Sequence, residues 1–186
     1  MKKIIALIFS LILILSVTSC GNQSNSTDIH NLYKVERTDN FLFSYTITDR
    51  KGNVLVSDTT NRQPEITVIN DHILSKYIQY GTGITTRETI YYNVDTGDIS
   101  ETYISVLGEY KNNTVYATLD RTTNSHKVIT HNIFNKNENY KEIILPDVTV
   151  AADFVTKCDI SENGIATISY LKGNNHIETN IEFNLN

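Results

Sequence analysis

Residues 177–186 read IETNIEFNLN, and this stretch shows the clearest structural pattern in the chain. Apolar residues stand at positions 177, 181, 183 and 185, and the residues between them are polar. Such a period of two places one set of side chains on a buried face and the other in water, which indicates a β-strand. The same alternation runs through residues 41–47 and 90–94, while no window past residue 40 has helical spacing. The sequence therefore predicts an all-β protein.

Turn-forming clusters divide these strands into units of similar length. They lie at Asp49–Asn53, Asn93–Asp98, Asn135–Asn139 and Lys172–Asn175, about forty residues apart, a spacing typical of repeated supersecondary units. Shorter hairpin signals lie between them at Asn70-Asp71, Asn112-Asn113 and Asn163-Gly164. We expect an antiparallel meander of repeated four-stranded units.

One unit carries a more specific pattern. The stretch TIYYNVDTGDISETY, residues 89–103, resembles the hairpin of exported quinoprotein-type and related β-propellers in which an aspartate and a glycine shape the outer turn. This resemblance extends over residues 65–186 and implies propeller-like blades. The chain departs from the family because it has no tryptophan and because its length supplies fewer units than the roughly four to eight blades of a propeller.

Three architectures remain open. The chain is a shortened propeller with open edges, a partial propeller completed by self-association, or a meander curled into a sandwich. The N-terminal hairpin, from Phe41 to Thr59, is a candidate to complete the last unit, because pairing the two ends of the chain would protect their edges.

The N-terminal segment has the pattern of an export signal. Lys2 and Lys3 precede an apolar run from Ile4 to Val17, which is shorter than the roughly 20 residues that a membrane-spanning helix needs. The sequence Val17-Thr18-Ser19-Cys20 that follows resembles the lipobox of bacterial prolipoproteins. The resemblance implies cleavage between Ser19 and Cys20 and lipidation of the Cys20 thiol. Several acyl chains on one residue give stable membrane attachment, whereas a single chain is marginal.

These patterns divide the chain into three parts. Residues 1–19 are predicted to be a lipoprotein signal peptide, residues 20–39 a lipidated N-terminus with a flexible tether, and residues 40–186 a single all-β domain. The tether prediction depends on the polar sequence GNQSNSTDIHN after Cys20, which has too few apolar residues to fold by itself.

Charge and cysteine content restrict the partners. The chain has 16 basic and 21 acidic side chains, so its net charge of −5 disfavours nucleic acid. Cys158 is the one cysteine besides Cys20, and apolar Phe154 and Val155 precede it. We expect Cys158 to be a partly buried, unreactive thiol.

Acidic residues near one turn are the candidates for catalysis. The triplet Asp95-Thr96-Gly97 matches that of aspartic proteases, but no second copy exists, and a hairpin turn explains it. Asp95 and Asp98 are too few ligands for a calcium loop. If the protein is an envelope enzyme, its working pair is expected among Asp95, Asp98, Glu88 and Glu101.

Other chemistry has little support in the sequence. His126 and His131 are five residues apart, so on one strand they face opposite sides and do not form a local zinc site. No nucleophile elbow, P-loop or H-E-x-x-H motif occurs, and we expect no cofactor and no catalytic or metal-binding residues. The 11 tyrosines suit either a binding surface or ordinary half-buried strands.

The functional expectation follows from these features. We expect a membrane-anchored, extracytoplasmic lipoprotein whose β domain is a non-catalytic binding or interaction module for a protein or glycan ligand. The alternatives are a cell-envelope enzyme acting on wall or sugar polymers, and an immunity or exclusion lipoprotein. The bias towards Ile, Asn and Lys favours a Gram-positive cell with the anchor on the outer face of its membrane. In a Gram-negative cell, Gly21 would direct the protein to the outer membrane.

Overall fold

The structure is a computed structural model that describes residues 27–81, 86–148 and 154–186. In these residues a short 3₁₀ helix, Ile29–Asn31, precedes the strands. The strands are β1 Tyr33–Asp39, β2 Leu42–Thr48, β3 Val54–Thr60, β4 Glu65–Asn70, β5 Ile73–Gln79, β6 Arg87–Asn93, β7 Tyr103–Ile104, β8 Val106–Tyr110, β9 Asn113–Asp120, β10 Ser125–Asn132, β11 Lys141–Ile144, β12 Val155–Ile160, β13 Ile165–Lys172 and β14 Ile177–Asn184. The described part of the chain contains no helix with the length and hydrophobicity needed to cross a membrane.

The strands form four antiparallel sheets, each a meander in chain order. The first sheet is β1-β2-β3, the second β4-β5-β6-β7, the third β8-β9-β10-β11 and the fourth β12-β13-β14. None of these sheets closes into a barrel. The prediction of an all-β antiparallel meander is confirmed. The middle two sheets have the expected four strands, and the first and last have three.

The turn clusters lie where the sequence places them, and their Asn and Asp side chains explain why. Asp49 follows β2, and its Oδ1 accepts hydrogen bonds from the backbone N–H groups of Lys51 and Asn53 at 2.9 and 2.8 Å. The side chains of Asn93 and Asn132, at the ends of β6 and β10, accept in the same way from the residues that follow them. At these three chain reversals a short acceptor side chain thus replaces the lost strand partner.

Three apolar layers hold the sheets together in series. The layer between the first and second sheets contains Ile47, Leu74, Tyr92 and Val94. The layer between the second and third contains Ile73, Tyr91, Tyr103, Val106 and Ile133. The layer between the third and fourth contains Val115, Val128, Ile168, Tyr170 and Leu185. The two middle sheets are therefore covered on both faces, an arrangement of stacked sheets like that of a sandwich.

The outer faces of the first and last sheets are polar. In the first sheet, strand register aligns Lys34 with Thr46 and Ser57 on the face opposite Ile47. In the fourth, register aligns Asp159 with Thr167 and Glu182 on the face opposite Ile168. A further sheet packed on either face would bury these polar groups, which carries a desolvation cost.

Two expectations about the N-terminal region need correction. The hairpin of β2 and β3 pairs with β1 inside the first sheet, and in the described residues neither strand pairs with β14, so it does not complete the last unit. The folded region also begins before residue 40, because β1 lies within the segment 20–39 that the sequence predicts as a tether. Buried Ile29 and Leu32, with partly buried Tyr33, pack into the first apolar layer and order this segment.

Candidate functional site

The residues predicted for lipidation lie outside the part of the chain that the structure describes. This applies to Cys20, and to Ser19 at the expected cleavage point. The lipid anchor therefore stays a prediction from the sequence. The described chain starts at Thr27, whose carbonyl oxygen accepts a hydrogen bond from the guanidinium of Arg50.

The Asp95-Thr96-Gly97 triplet forms a turn, as the hairpin interpretation predicts. Gly97 has a φ of +83°, a left-handed conformation that suits glycine. The carboxylate of Asp95 accepts from Arg50 Nε at 2.8 Å and lies 2.5 Å from His72 Nδ1. Arg50 also donates to the carbonyl oxygen of Asp71 at 2.6 Å. These contacts join the turns of the first and second sheets, so the negative charge of Asp95 stabilises the packing of the two turns.

The other three candidate carboxylates have partners of their own. Asp98 accepts from the hydroxyl of Thr96 at 2.6 Å within the same turn. Glu88 accepts from Tyr80 at 3.1 Å, and Glu101 forms an ion pair with Lys136. Asp95 and Asp98 belong to one turn, in which Asn93 accepts from the backbone N–H of Asp95 and donates to the carbonyl oxygen of Asp98. Among the described residues no hydrogen bond joins the side chains of any two of the four candidates. Each carboxylate has a contact of its own, and the enzyme hypothesis stays a prediction from the sequence.

His126 and His131 lie on opposite faces of β10, as their spacing of five residues predicts. The ring of His126 packs against Phe154 at 4.4 Å between centroids, whereas His131 contacts the rings of Tyr103 and Tyr116 on the other side. No cluster of three or more His, Cys, Asp or Glu side chains suited to a metal ion occurs in the described ranges.

Cys158 is partly buried against the third apolar layer, which confirms the expected burial. Burial raises the pKa of its thiol to about 12, so the reactive thiolate is scarce at neutral pH.

A cleft between the second and third sheets is the strongest candidate for a functional site. It has a volume of about 230 Å³, and β4, β5 and β6 on one side and β8 on the other enclose it. We call it the inter-sheet cleft and define it by its polar lining residues, Thr67, Ser75, Tyr77, Arg87, Thr89 and Glu109.

The residue pattern of the second sheet explains why this cleft exists. Register aligns Thr67 with Ser75, and Tyr77 with Thr89, on the face that meets the third sheet. The same face is apolar further along, where Ile73 packs with the third sheet. Packed sheets lie about 10 Å apart, and short polar side chains do not fill that space as Ile or Leu would. The space between the second and third sheets is thus filled near Ile73 and leaves a polar cavity at its other end.

Arg87 is held in place but keeps donors available. Its Nε donates to Gln79 Oε1 at 3.0 Å, and its guanidinium lies over the ring of Tyr77, 4.9 Å from the centroid. The hydroxyl of Tyr77 in turn donates to Glu65. The two terminal NH₂ groups of Arg87 have no hydrogen-bond partner among the described residues. A planar donor fork of this kind suits a carboxylate or phosphate oxygen pair.

Glu109 reaches the same cleft from β8. Its Oε1 accepts from the hydroxyl of Tyr91 at 2.7 Å, and its other oxygen has no partner in the described chain. Burial raises the pKa of Glu109, while the Tyr91 hydrogen bond and the charge of Arg87 act in the opposite direction. Tyr91 itself is fully buried and also contacts Thr114 at 3.1 Å. Burial raises the pKa of Tyr91, so its hydroxyl stays protonated and can orient the carboxylate.

Three hydroxyl groups complete the polar lining. Those of Thr67, Ser75 and Thr89 form no side-chain hydrogen bond within the described residues, although Ser75 and Thr89 are each 3% exposed. Hydroxyl groups can donate or accept, so they adapt to a polar ligand. The cleft therefore combines one fixed cation, one acidic group and three adaptable hydroxyls.

Sequence reasoning did not identify this set of residues. In the sequence Tyr77 and Tyr91 stand out only as two of the 11 tyrosines, and no pattern marks Arg87 or Glu109 as ligand-binding residues. A signal does exist, because polar Ser75, Arg87 and Thr89 occupy inward positions of two central strands, where apolar residues are expected. That signal indicates a cavity only when the opposite sheet is known.

Comparisons of the sequence with family models and with curated proteins give no significant match.

Proposed function

We propose that this protein is a membrane-anchored, extracytoplasmic lipoprotein whose β domain binds a small polar ligand in the inter-sheet cleft and does not transform it. The observation that carries the binding proposal is the preorganised guanidinium of Arg87. Gln79 and Tyr77 hold it in place, and its terminal donors are unpaired within the described chain. Unpaired donors in a concave site favour ligand binding, because the side chain has already lost its conformational entropy on folding and loses little more when the ligand binds.

The nature of the lining favours binding over catalysis. Hydrolysis of a glycosidic bond usually needs two carboxyl groups that flank the bond. Among the described residues that line the cleft, Glu109 is the one acidic side chain. Ser75 lines the cleft too, but the described lining contains no histidine to act as the base that a serine nucleophile needs.

The membrane location is proposed from the sequence alone. The residues that support it are the lipobox ending at Cys20 and the polar segment that follows. A tethered binding domain would hold its ligand near the membrane surface, as expected of a receptor or scavenger.

Two experiments test the proposal. Cells that produce the protein are grown with radiolabelled palmitate, and the native chain is compared with Cys20→Ala. We expect label and membrane association in the native chain and loss of both in the variant. Equal labelling of the two chains would overturn the anchor.

The binding function is tested by thermal unfolding in the presence of a library of small polar metabolites. We expect the unfolding temperature to rise with a subset of compounds, because a ligand at about 100 times its Kd adds roughly 2.7 kcal/mol to the stability of the native state. Ser75→Leu, which would fill the cleft, should abolish the response. Ser57→Leu, on the polar outer face of the first sheet, is the matched control and should retain it. A response that survives Ser75→Leu would place the ligand elsewhere.

A further inference from the structure

We propose that the inter-sheet cleft recognises a zwitterion, a small molecule with a carboxylate and a protonated amino group, as in an α-amino acid. Arg87 would bind the carboxylate and Glu109 the ammonium group. This inference rests on the proposed binding function and specifies the chemical class of its ligand.

The carboxylate half follows from the geometry around Arg87. The contact with the ring of Tyr77 and the hydrogen bond to Gln79 hold the guanidinium, which leaves its two terminal groups as a pair of donors. A carboxylate accepts two such hydrogen bonds at once, and charge-assisted bonds of this type are about twice as strong as neutral ones. The hydroxyl of Ser75, in the same lining, can supply an additional donor.

The ammonium half follows from Glu109. The hydroxyl of Tyr91 occupies one oxygen, and the second oxygen has no partner in the described chain. A partly buried carboxylate with an unused oxygen is best satisfied by a cationic donor, because a neutral one compensates less of the desolvation cost. An ammonium group offers three donors, one for Glu109 and the others for the threonine hydroxyls of Thr67 and Thr89.

The relation between the two charged residues is the decisive observation. Arg87 and Glu109 line one cavity and interact electrostatically, yet no ion pair joins them among the described residues. Opposite charges within direct reach usually pair in a site of low dielectric constant. Here they stay apart, so a ligand with one charge of each sign can bridge them. A neutral ligand would leave both groups unpaired, and a simple anion would leave Glu109 unpaired.

Size restricts the ligand further. The cleft measures about 230 Å³, whereas pockets for drug-sized ligands usually measure about 300–1,000 Å³. A free amino acid with a short side chain suits this volume better than a segment of a polymer.

The inference is tested by NMR titration of the ¹⁵N-labelled protein with four probes: glycine, alanine of either hand, propionate and ethylamine. Propionate and ethylamine each retain one of the two charged groups of alanine. We expect saturable shifts at cleft residues with glycine or alanine, and at least tenfold weaker binding of propionate and ethylamine. Arg87→Gln and Glu109→Gln should each weaken amino acid binding at least tenfold. Arg37→Gln and Glu36→Gln, on the exposed strand β1, are the charge-matched controls and should leave it unchanged.

The outcomes separate the two proposals. The dispersion of the amide spectrum shows whether each variant is folded, and Ser75→Leu, which keeps both charges, provides a second way to remove binding. If propionate binds as tightly as alanine and Glu109→Gln has no effect, the zwitterion inference is wrong and the binding function stands. If none of the four probes shifts cleft residues while other library compounds stabilise the native chain but not Ser75→Leu, the zwitterion inference is again wrong. If no compound in either experiment acts through the cleft, both proposals are wrong.

Discussion

The contact between β8 and the fourth sheet gives a quantitative test of the structure. Gly108 lies where a Cβ atom would be 2.8 Å from Cδ1 of Ile160, 3.7 Å from its Cγ1 and 3.9 Å from Sγ of Cys158. The φ of Gly108 is not in the left-handed region, so the backbone accepts alanine without strain. A Gly108→Ala substitution is therefore opposed by one atom, the terminal methyl group of Ile160.

The expected cost of Gly108→Ala follows from this contact. Crowding a packed interior costs about 1–3 kcal/mol, and replacing glycine restricts the unfolded chain and returns about 0.4–1 kcal/mol. We expect a net loss of about 1–2 kcal/mol in the free energy of unfolding. Ile160→Val removes Cδ1 itself and should cost about 0.5–1.5 kcal/mol alone. In the double variant the new methyl group occupies the space that Cδ1 vacates, so we expect a stability close to that of Ile160→Val.

Urea unfolding followed by far-UV circular dichroism measures the four proteins of this cycle, with the m-value as a check on two-state behaviour. A favourable coupling energy of about 1–2 kcal/mol is expected between the two substitutions. Losses that add within about 0.5 kcal/mol would refute the close contact between β8 and β12. The result also bears on the cleft, because Glu109 follows Gly108 on β8 and would move with it.

Three further predictions concern a turn, an acid and a thiol. A Cβ atom at Gly164, where φ is +76°, would lie 2.7 Å from the ring of Tyr110, whereas at Gly52, where φ is +85°, it would have no atom within 4 Å. In urea unfolding, Gly164→Ala should therefore lower the free energy of unfolding by about 1–3 kcal/mol more than Gly52→Ala does. Equal losses of stability would contradict the contact with Tyr110. Burial raises the pKa of Glu109 in the folded protein, so folding favours its protonated form. The free energy of unfolding therefore falls as the pH rises from the pKa of Glu109 in the unfolded chain to its pKa in the folded protein. Glu109→Gln should therefore raise the unfolding temperature relative to the native chain more at pH 7 than at pH 4, and a pH-independent difference would count against the burial of this carboxyl. Because burial raises the pKa of the Cys158 thiol to about 12, this thiol should react with iodoacetamide at pH 7.5 much more slowly in the folded protein than in 6 M guanidinium. Mass spectrometry of the adduct measures the two rates. Comparable rates would indicate an accessible thiolate in the folded protein.

Local patterns in the sequence predict the all-β class and the turn clusters, but not β1, which lies in the segment expected to be a tether. Alternation such as that of residues 177–186 requires only that one face is buried, and β14 covers nearly the whole of that stretch. The Asn and Asp residues at the turns act on backbone groups a few positions away, as Asp49 does on Lys51 and Asn53. Both signals are local, so they can be interpreted without knowledge of the rest of the chain.

How the sheets stack, and where polar side chains lack partners among the described residues, follows from the packing of the sheets and not from local patterns. The outer faces of the first and fourth sheets carry aligned polar residues, a result that depends on which face of each sheet meets a neighbour. The cleft brings Arg87 and Glu109 together because these two residues, on different sheets and far apart in the sequence, face the same gap. Strand patterns show which side chains share a face of one sheet, but the packing of two sheets determines which residues meet across it. For this reason the sequence indicated the class of the fold, and the packing of the second sheet on the third revealed the candidate site.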